Sequence, residues 1–270
     1  MDLKKKIVEL IRKTANEMPE DVVLALEKAA ESEANPVAKE IFMKLLENSK
    51  EAKGAQKPIC QDTGTPYFYV TYPKKYTQKE LTAIIIEATN EATSNVPLRP
   101  NAVECLSGKN IGNRPVIHFK EGKKLEIELL LKGGGSENVS AIYSLPNIEL
   151  KADRNLEGVR KCVLDAVFRA QGKACPPYII GIALGGSLEE VAGASKKQLL
   201  RKLNDENTSK ELSELEEKIL SEINQFGIGP VGLGGNTTAI GIKIAGGVRH
   251  PASFFVGISI SCWAMRRQSL

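Results

Sequence analysis

The apolar positions of the first 55 residues fall on helical periods. Leu3, Ile7, Leu10 and Ile11 share one face behind a possible Asp2 cap, and Val22, Val23, Leu26, Ala29 and Ala30 share another after Pro19. A third stripe, Val37, Ile41, Leu45 and Leu46, follows Asn35-Pro36, a capping residue and a first-turn proline, and Gly54 ends the section. Beyond it the pattern becomes mixed. Residues 67–72 read as a strand, Thr77-x-x-Glu80 is the capping box of a helix reaching about residue 95, and 115–119 with 125–131 predict a hairpin turning at Glu121-Gly122. Residues 155–170 form an amphipathic helix that Gly172 closes, with Val159, Cys162, Val163, Ala166 and Val167 on its apolar face. A short apolar strand over 178–184, a helix opened by Ser187-x-x-Glu190, a charged helix over 209–225 and buried strands over 237–244 and 254–260 complete the chain.

This order predicts an α+β fold, an N-terminal helical segment followed by mixed helices and sheets, and not a doubly wound parallel sheet. We expect residues 1–55 as the helical segment and 56–270 as one compact portion. Four glycine-rich stretches, KGGGSEN (132–138), GIALGG (181–186), GIGPVGLGGNTT (227–238) and AGGVRH (245–250), lie at strand ends. Glycine permits positive φ and close backbone approach, so such loops can present N–H groups to an anion or a cofactor, although each alone could serve merely as a tight turn. Gly-Ile-Gly-Pro-Val-Gly at 227–232 has the spelling of a dinucleotide fingerprint. A helix precedes it, a strand follows it and Pro230 interrupts it, the reverse of the strand–loop–helix setting that binds a pyrophosphate, so that reading is rejected.

Composition narrows the function classes. The net charge is +4, with the lysines dispersed, which gives no argument for nucleic acid. The longest apolar stretch, around Ile84–Ile86, is far short of the roughly 20 residues of a membrane span, and no signal-peptide pattern follows the N-terminus, so a cytoplasmic location is expected. Five widely spaced cysteines with no C-x-x-C pair argue against a disulfide framework, a zinc ribbon and a thioredoxin motif, and two histidines exclude a His-rich metal site.

Three thiols remain in loop settings beside Pro, Gly or cationic residues: Cys60 in PICQDTGT, Cys175 in KACPPYIIG and Cys262 in ISCWAMRR. Positive surroundings stabilise thiolates, the donors soft metals require, and three separated cysteines suit a 4Fe-4S cluster with one iron open as a Lewis acid. Cys105 in NAVECLSGK fits that description almost as well, and spacing does not separate them. On composition alone Asp62-Thr63-Gly64 is a plausible Asx turn, His250-Pro251 a loop, and Arg266-Arg267 a solvated C-terminus.

CQDTGT, KGGGSEN, ACPPYIIGIALGG, GIGPVGLGGNTTAIGIKI and SCWAMRR, in this order, resemble the N-terminal half or α subunit of the iron-sulfur-dependent class I fumarases and the related L-tartrate dehydratases, from about residue 50 onward. The resemblance implies Cys60, Cys175 and Cys262 as cluster ligands and leaves Cys105 and Cys162 aside. It implies Gln61 and Asp62 at the substrate's carboxylates and hydroxyl, Arg99 as a bidentate carboxylate donor, Gly133 and Ser136 as pocket donors, and His250 paired with Asp62 in proton handling. It also implies a small dicarboxylate substrate and reversible hydration of fumarate to (S)-malate, with L-tartrate dehydration as the alternative. Because the chain ends eight residues after Cys262, a separate β subunit should complete the site, in an α2β2 assembly with no nucleic-acid or membrane partner. From another class, an iron-sulfur electron-transfer or sensing module would usually carry four closely spaced cysteines and leaves Gln61-Asp62 without a use. A cofactor-free binding domain would make the cysteines core residues.

Overall fold

The computed structural model describes residues 2–96 and 98–270. In chain order the elements are α1 (Leu3–Asn16), α2 (Glu20–Ser32), α3 (Pro36–Ala55), β1 (Thr65–Tyr72), α4 (Gln78–Asn95), β2 (Ala102–Val103), β3 (Asn110–Gly112), β4 (Val116–Glu121) and β5 (Glu126–Lys132). There follow α5 (Gly134–Glu137), β6 (Ala141–Ser144), α6 (Leu156–Ala170), β7 (Tyr178–Gly185), α7 (Leu188–Gln198), α8 (Lys210–Asn224), a 3-10 turn (Pro230–Gly232), β8 (Ala239–Gly246), β9 (Phe255–Ser261) and β10 (Arg267–Ser269). The α+β reading stands. Among the described residues no helix is long and apolar enough to cross a membrane.

The chain divides into two compact units, and the three N-terminal helices are shared between them. The first unit comprises Met1–Pro19, Glu47–Gly134 and Ala264–Leu270, and the second Glu20–Leu46 and Gly135–Trp263. Helical periodicity marks where helices lie and carries no information on which sheet each one covers.

In the first unit a four-stranded sheet runs β10-β5-β1-β4. α1 and α4 bury Ile7, Ile11, Leu81 and Ile85 with Phe68, Ile127 and Leu129 of the strands, all within 1% exposure. The capping box of α4 forms as its sequence requires, the Thr77 hydroxyl accepting from the Glu80 N–H. The predicted hairpin does not form. Both strands exist, but β1 lies between them, parallel to β4 and antiparallel to β5. The Glu121-Gly122 reversal therefore crosses over β1, and the Gly122 N–H donates to the Tyr72 carbonyl at 2.9 Å. A turn signal shows that the chain reverses; pairing depends on which strand, here the apolar β1, must be covered on both sides.

The second unit carries the sheet β6-β9-β7-β8, with β7 parallel to β8 and antiparallel to β9. Helices α6 and α8 pack their apolar faces on the core of Ile180, Ile182, Val256 and Ile260. Asn155 caps α6 and a Ser187–Glu190 capping box opens α7. Helices α3 and α6 stop at glutamines and not at the nearby glycines. Gln56 and Gln171 take left-handed φ values of 52° and 47°, and each turns its side-chain amide back onto a last-turn carbonyl, Lys53 at 2.9 Å and Phe168 at 2.6 Å. The side chain thus supplies a donor for an orphan carbonyl, which glycine cannot do. Asp2, by contrast, makes no side-chain cap on α1.

Candidate active site

In the first unit the CQDTG segment is anchored just before its cysteine. Ile59 is buried, its N–H donates to the Ala15 carbonyl at 3.0 Å, and its carbonyl accepts from Asn48 at 2.9 Å. Cys60 therefore emerges half-buried, and Gln61 stands exposed. The Asp62 carboxylate is held at both oxygens: Oδ1 accepts from the Gly64 N–H at 3.0 Å, the expected Asx turn, and Oδ2 from the Gly134 N–H at 2.8 Å. Gly133 lies directly beside it. A Cβ at that position would stand 3.0 Å from Asp62 Oδ2 and 3.5 Å from Arg266 Nη2, so a side chain there would press the carboxylate back by a few tenths of an ångström.

Thr63 ties Arg99 to the same loop. Its hydroxyl accepts from the Arg99 N–H at 3.1 Å and from the Asn101 amide at 2.9 Å, and Asn113 donates to the Arg99 carbonyl at 3.0 Å. The Arg99 side chain is exposed. The first unit thus brings Cys60, Gln61, Asp62, Arg99 and Gly133 into one loop cluster.

Arg266 is the residue that sequence reasoning missed. It is 1% exposed and Arg267 7%, which overturns the solvated C-terminus. β10 pairs with β5, the Arg266 carbonyl accepts from the Leu131 N–H at 2.9 Å, and Arg266 Nη1 donates to the Asp62 carbonyl. The apolar Ala264-Met265 step before the arginines, both residues buried, was the available sign that the chain is still inside the core.

The second unit holds Cys175, Cys262 and Ser136. Cys262 follows β9, whose Ser261 pairs with Ile179 at the start of β7, and Cys175 lies three residues before β7. The Trp263 N–H donates to the Cys175 carbonyl at 3.2 Å, joining the two cysteine loops. Tyr178, fully buried, feels both: burial pushes its phenol up to about 12 against the lowering effect of a backbone hydrogen bond at Ala174, and the charges of Cys175 and Cys262 add to the rise. Cys175 is exposed, with a left-handed φ of 52°, an unusual conformation for a residue bearing a side chain. The 3-10 turn supports it. The Val231 N–H donates to the Pro176 carbonyl at 2.8 Å, and Gly172 and Gly232 approach so closely that a Cβ on either would stand within 3 Å of the other's Cα. Ser136 is buried in α5.

His250 lies elsewhere in this unit. The Gly186 N–H donates to Val248 at 2.7 Å and the Gly247 N–H to Leu184 at 2.9 Å, which places the 246–250 loop at the C-terminal end of β7. At about 3.3 Å per residue along an eight-residue strand, His250 is roughly 20 Å from the cysteines at the other end. Its ring is exposed, with Nδ1 accepting from the Ala252 N–H at 3.1 Å. Spacing of twelve residues from Cys262 does not bring the ring near it, because β9 runs away between them.

Burial sets Cys162 apart from the other four thiols. Cys162 is fully buried in α6, and burial, then the Asp165 charge, push its thiol up to about 12, away from a thiolate. Cys105 is exposed on the β2–β3 loop. Cys60, Cys175 and Cys262 retain surface and sit on anchored loops, so they suit a soft metal, two of them adjoining within the second unit. Among the described residues no three Cys, His, Asp or Glu side chains stand together as a ready-made metal group.

The sequence model of the fumarate hydratase (Fumerase) family matches residues 4–270. The chain belongs to that family. It is 40% identical over 277 residues to a protein named as a class I fumarate hydratase in Geobacillus stearothermophilus, covering 98% of this chain but 54% of that one, so the chain spans about half the length of this relative. It is also 40% identical over 279 residues to a protein of Methanocaldococcus jannaschii named as the α subunit of an L(+)-tartrate dehydratase, covering 99% of this chain and 96% of the relative. The α subunit of L(+)-tartrate dehydratase of Escherichia coli K12 is 34% identical over 264 residues, 94% of this chain and 85% of the relative. Family membership accounts for the order of the glycine-rich and cysteine motifs along the chain.

Proposed function

We propose that this chain is the α subunit of a hydro-lyase that reversibly adds water to fumarate, giving (S)-malate, and that a separate β subunit completes the site in an α2β2 assembly. The observation that carries this reading is the Asp62 carboxylate, fixed by two backbone N–H groups two residues from the Cys60 thiol. A carboxylate has about four lone-pair positions, of which two are used here, so Asp62 retains capacity to hold the proton exchanged with the substrate hydroxyl. Gln61 and the exposed Arg99 are suited to the substrate carboxylates, the guanidinium by its bidentate geometry. Gly133 leaves room beside Asp62, and Ser136 is proposed as a further donor to the substrate.

Cys60, Cys175 and Cys262 would hold a 4Fe-4S cluster, which when bound supplies an open Lewis-acidic iron that polarises the hydroxyl. His250, on the exposed loop between β8 and β9, is proposed as the group that shares proton handling with Asp62. L-tartrate dehydration is the second reading, favoured by the α-subunit relatives that share nearly the full length of this chain.

The test is anaerobic reconstitution with iron and sulfide, in wild type and in Cys60→Ser, Cys105→Ser, Cys162→Ser, Cys175→Ser and Cys262→Ser. Loss of a four-iron cluster in the first, fourth and fifth variants alone supports the assignment, and dependence on Cys105 overturns it. Turnover of fumarate against L-tartrate by the chain purified with its partner then decides the substrate, and turnover of neither overturns the hydro-lyase reading.

A further inference from the structure

We infer that Arg266 is a positioning residue for Asp62. The inference rests on the proposed role of Asp62 in proton handling. Arg266 is 1% exposed, and among the described residues its Nε has no hydrogen-bond acceptor and its guanidinium no carboxylate within ion-pair distance. Burial of a charge without a counter-ion is unfavourable, and apolar side chains of similar volume commonly replace buried ionic groups without loss of stability. A residue that served only to fill this space would therefore not need to be arginine.

A guanidinium offers two arms at a fixed angle; one is bonded to Asp62 and the other ends in the same neighbourhood. Nη1 donates to the Asp62 carbonyl. Nη2 lies 3.5 Å from the point where a Gly133 Cβ would stand, and Asp62 Oδ2 lies 3.0 Å from that same point, so the two groups are within 6.5 Å, the sum of those distances. The first arm fixes the Asp62 peptide, and the second lies against Gly133, the residue beside the carboxylate. With the peptide fixed, both oxygens reach their amide donors on Gly64 and Gly134 at once. The arginine is itself set by its carbonyl, which accepts from the Leu131 N–H on β5. Lysine would place a single point charge there, with one direction of donation at a time.

The experiment compares Arg266→Met and Arg266→Lys with wild type in the full chain by two readouts. The first is hydrogen exchange of the Gly64 and Gly134 amides, which needs no turnover. We expect exchange to accelerate about tenfold or more in Arg266→Met and by less in Arg266→Lys, with the thermal midpoint unchanged or raised. The second is steady-state kinetics of the chain with its partner at equal iron content, where kcat should fall about 100-fold in Arg266→Met at nearly unchanged KM, with partial recovery in Arg266→Lys. If Arg266→Met fails to fold, Arg266→Lys decides by the same readouts. Unchanged amide exchange, or a wild-type kcat in a variant with full iron content, overturns the inference. Absence of turnover in the wild type would instead overturn the hydro-lyase reading, while amide exchange still decides whether Arg266 positions Asp62.

Discussion

Gly133→Ala separates the chemistry of the site from its stability. The added Cβ would stand 3.0 Å from Asp62 Oδ2, where ordinary contact begins near 3.4 Å, so the carboxylate must retreat by about 0.4 Å. Retreat from Gly134 stretches its 2.8 Å hydrogen bond to about 3.2 Å, the limit of good geometry. A hydrogen bond to a charged group contributes about 1.5–3 kcal/mol, and losing part of it costs about 1 kcal/mol. The φ of Gly133 is outside the left-handed region, so alanine also reduces the freedom of the unfolded chain and returns about 0.4–1 kcal/mol. The two effects nearly cancel in stability, and the thermal midpoint should stay within about 3 °C of wild type. They do not cancel in catalysis. A misplaced Asp62 should lower kcat about 10- to 100-fold. Gly135→Ala is the control, since a Cβ there meets nothing within 4 Å, and it should retain activity. The assay is kcat and KM at equal iron content beside a thermal melt. Wild-type turnover in Gly133→Ala would refute the role given to Asp62, and a fall of 8 °C or more in midpoint would show that Gly133 serves the fold instead.

Thr77→Ala removes the hydroxyl that caps α4 and should cost about 1 kcal/mol, a midpoint shift of about 2–4 °C in a melt, with kcat unchanged. Val231→Gly relieves a β-branched residue at φ 48° in the loop that supports Cys175, so denaturant titration should give equal or slightly higher stability while a chelator removes iron faster; slower iron loss would contradict the support assigned to that loop. At Asp205 burial alone would push the carboxyl up, but hydrogen bonds and charges of Arg201 and Lys243 outweigh it and hold the group below its ordinary value. Stability from this depressed group is present above the unfolded pKa near 4 and lost as pH falls below it. Asp205→Asn should therefore cost about 2 kcal/mol at neutral pH, discounted from about 3–5 for a buried pair because the Asp205 side chain is 35% exposed, and the difference from wild type should shrink in acid unfolding below about pH 4.

Local chemistry was legible in the sequence, and tertiary choices were not. The capping boxes at Thr77 and Ser187 appear where their spelling puts them, because four consecutive residues contain the whole device. The strands around Gly122 were also legible, yet their pairing was not, because the insertion of β1 depends on residues some fifty positions earlier. The same limit applies to the thiols. The apolar face of α6 was enough to place Cys162 in the core, whereas Cys60, Cys175 and Cys105 look alike until the fold anchors Ile59, braces Pro176 and leaves Cys105 on the β2–β3 loop. His250 shows the converse: a fixed spacing from Cys262 in sequence becomes the length of a strand in space.

Arg266 extends this lesson to charge. Lys132, Arg266 and Arg267 are all at least nine-tenths buried in the first unit, on the two segments that border Asp62, while most lysines of the chain remain at the surface. Exposed cations would attract a dicarboxylate at low salt, but at physiological ionic strength the Debye length is about 8 Å and surface charge is largely screened beyond it. A buried cation keeps its field and loses little side-chain freedom when the ligand arrives, at the cost of desolvation during folding. The apolar contacts of Phe68, Ile127 and Leu129 on the same sheet are where the first unit can offset that cost. Burial of Arg266 at the Asp62 peptide is thus a cost in stability that the positioning of Asp62 would explain.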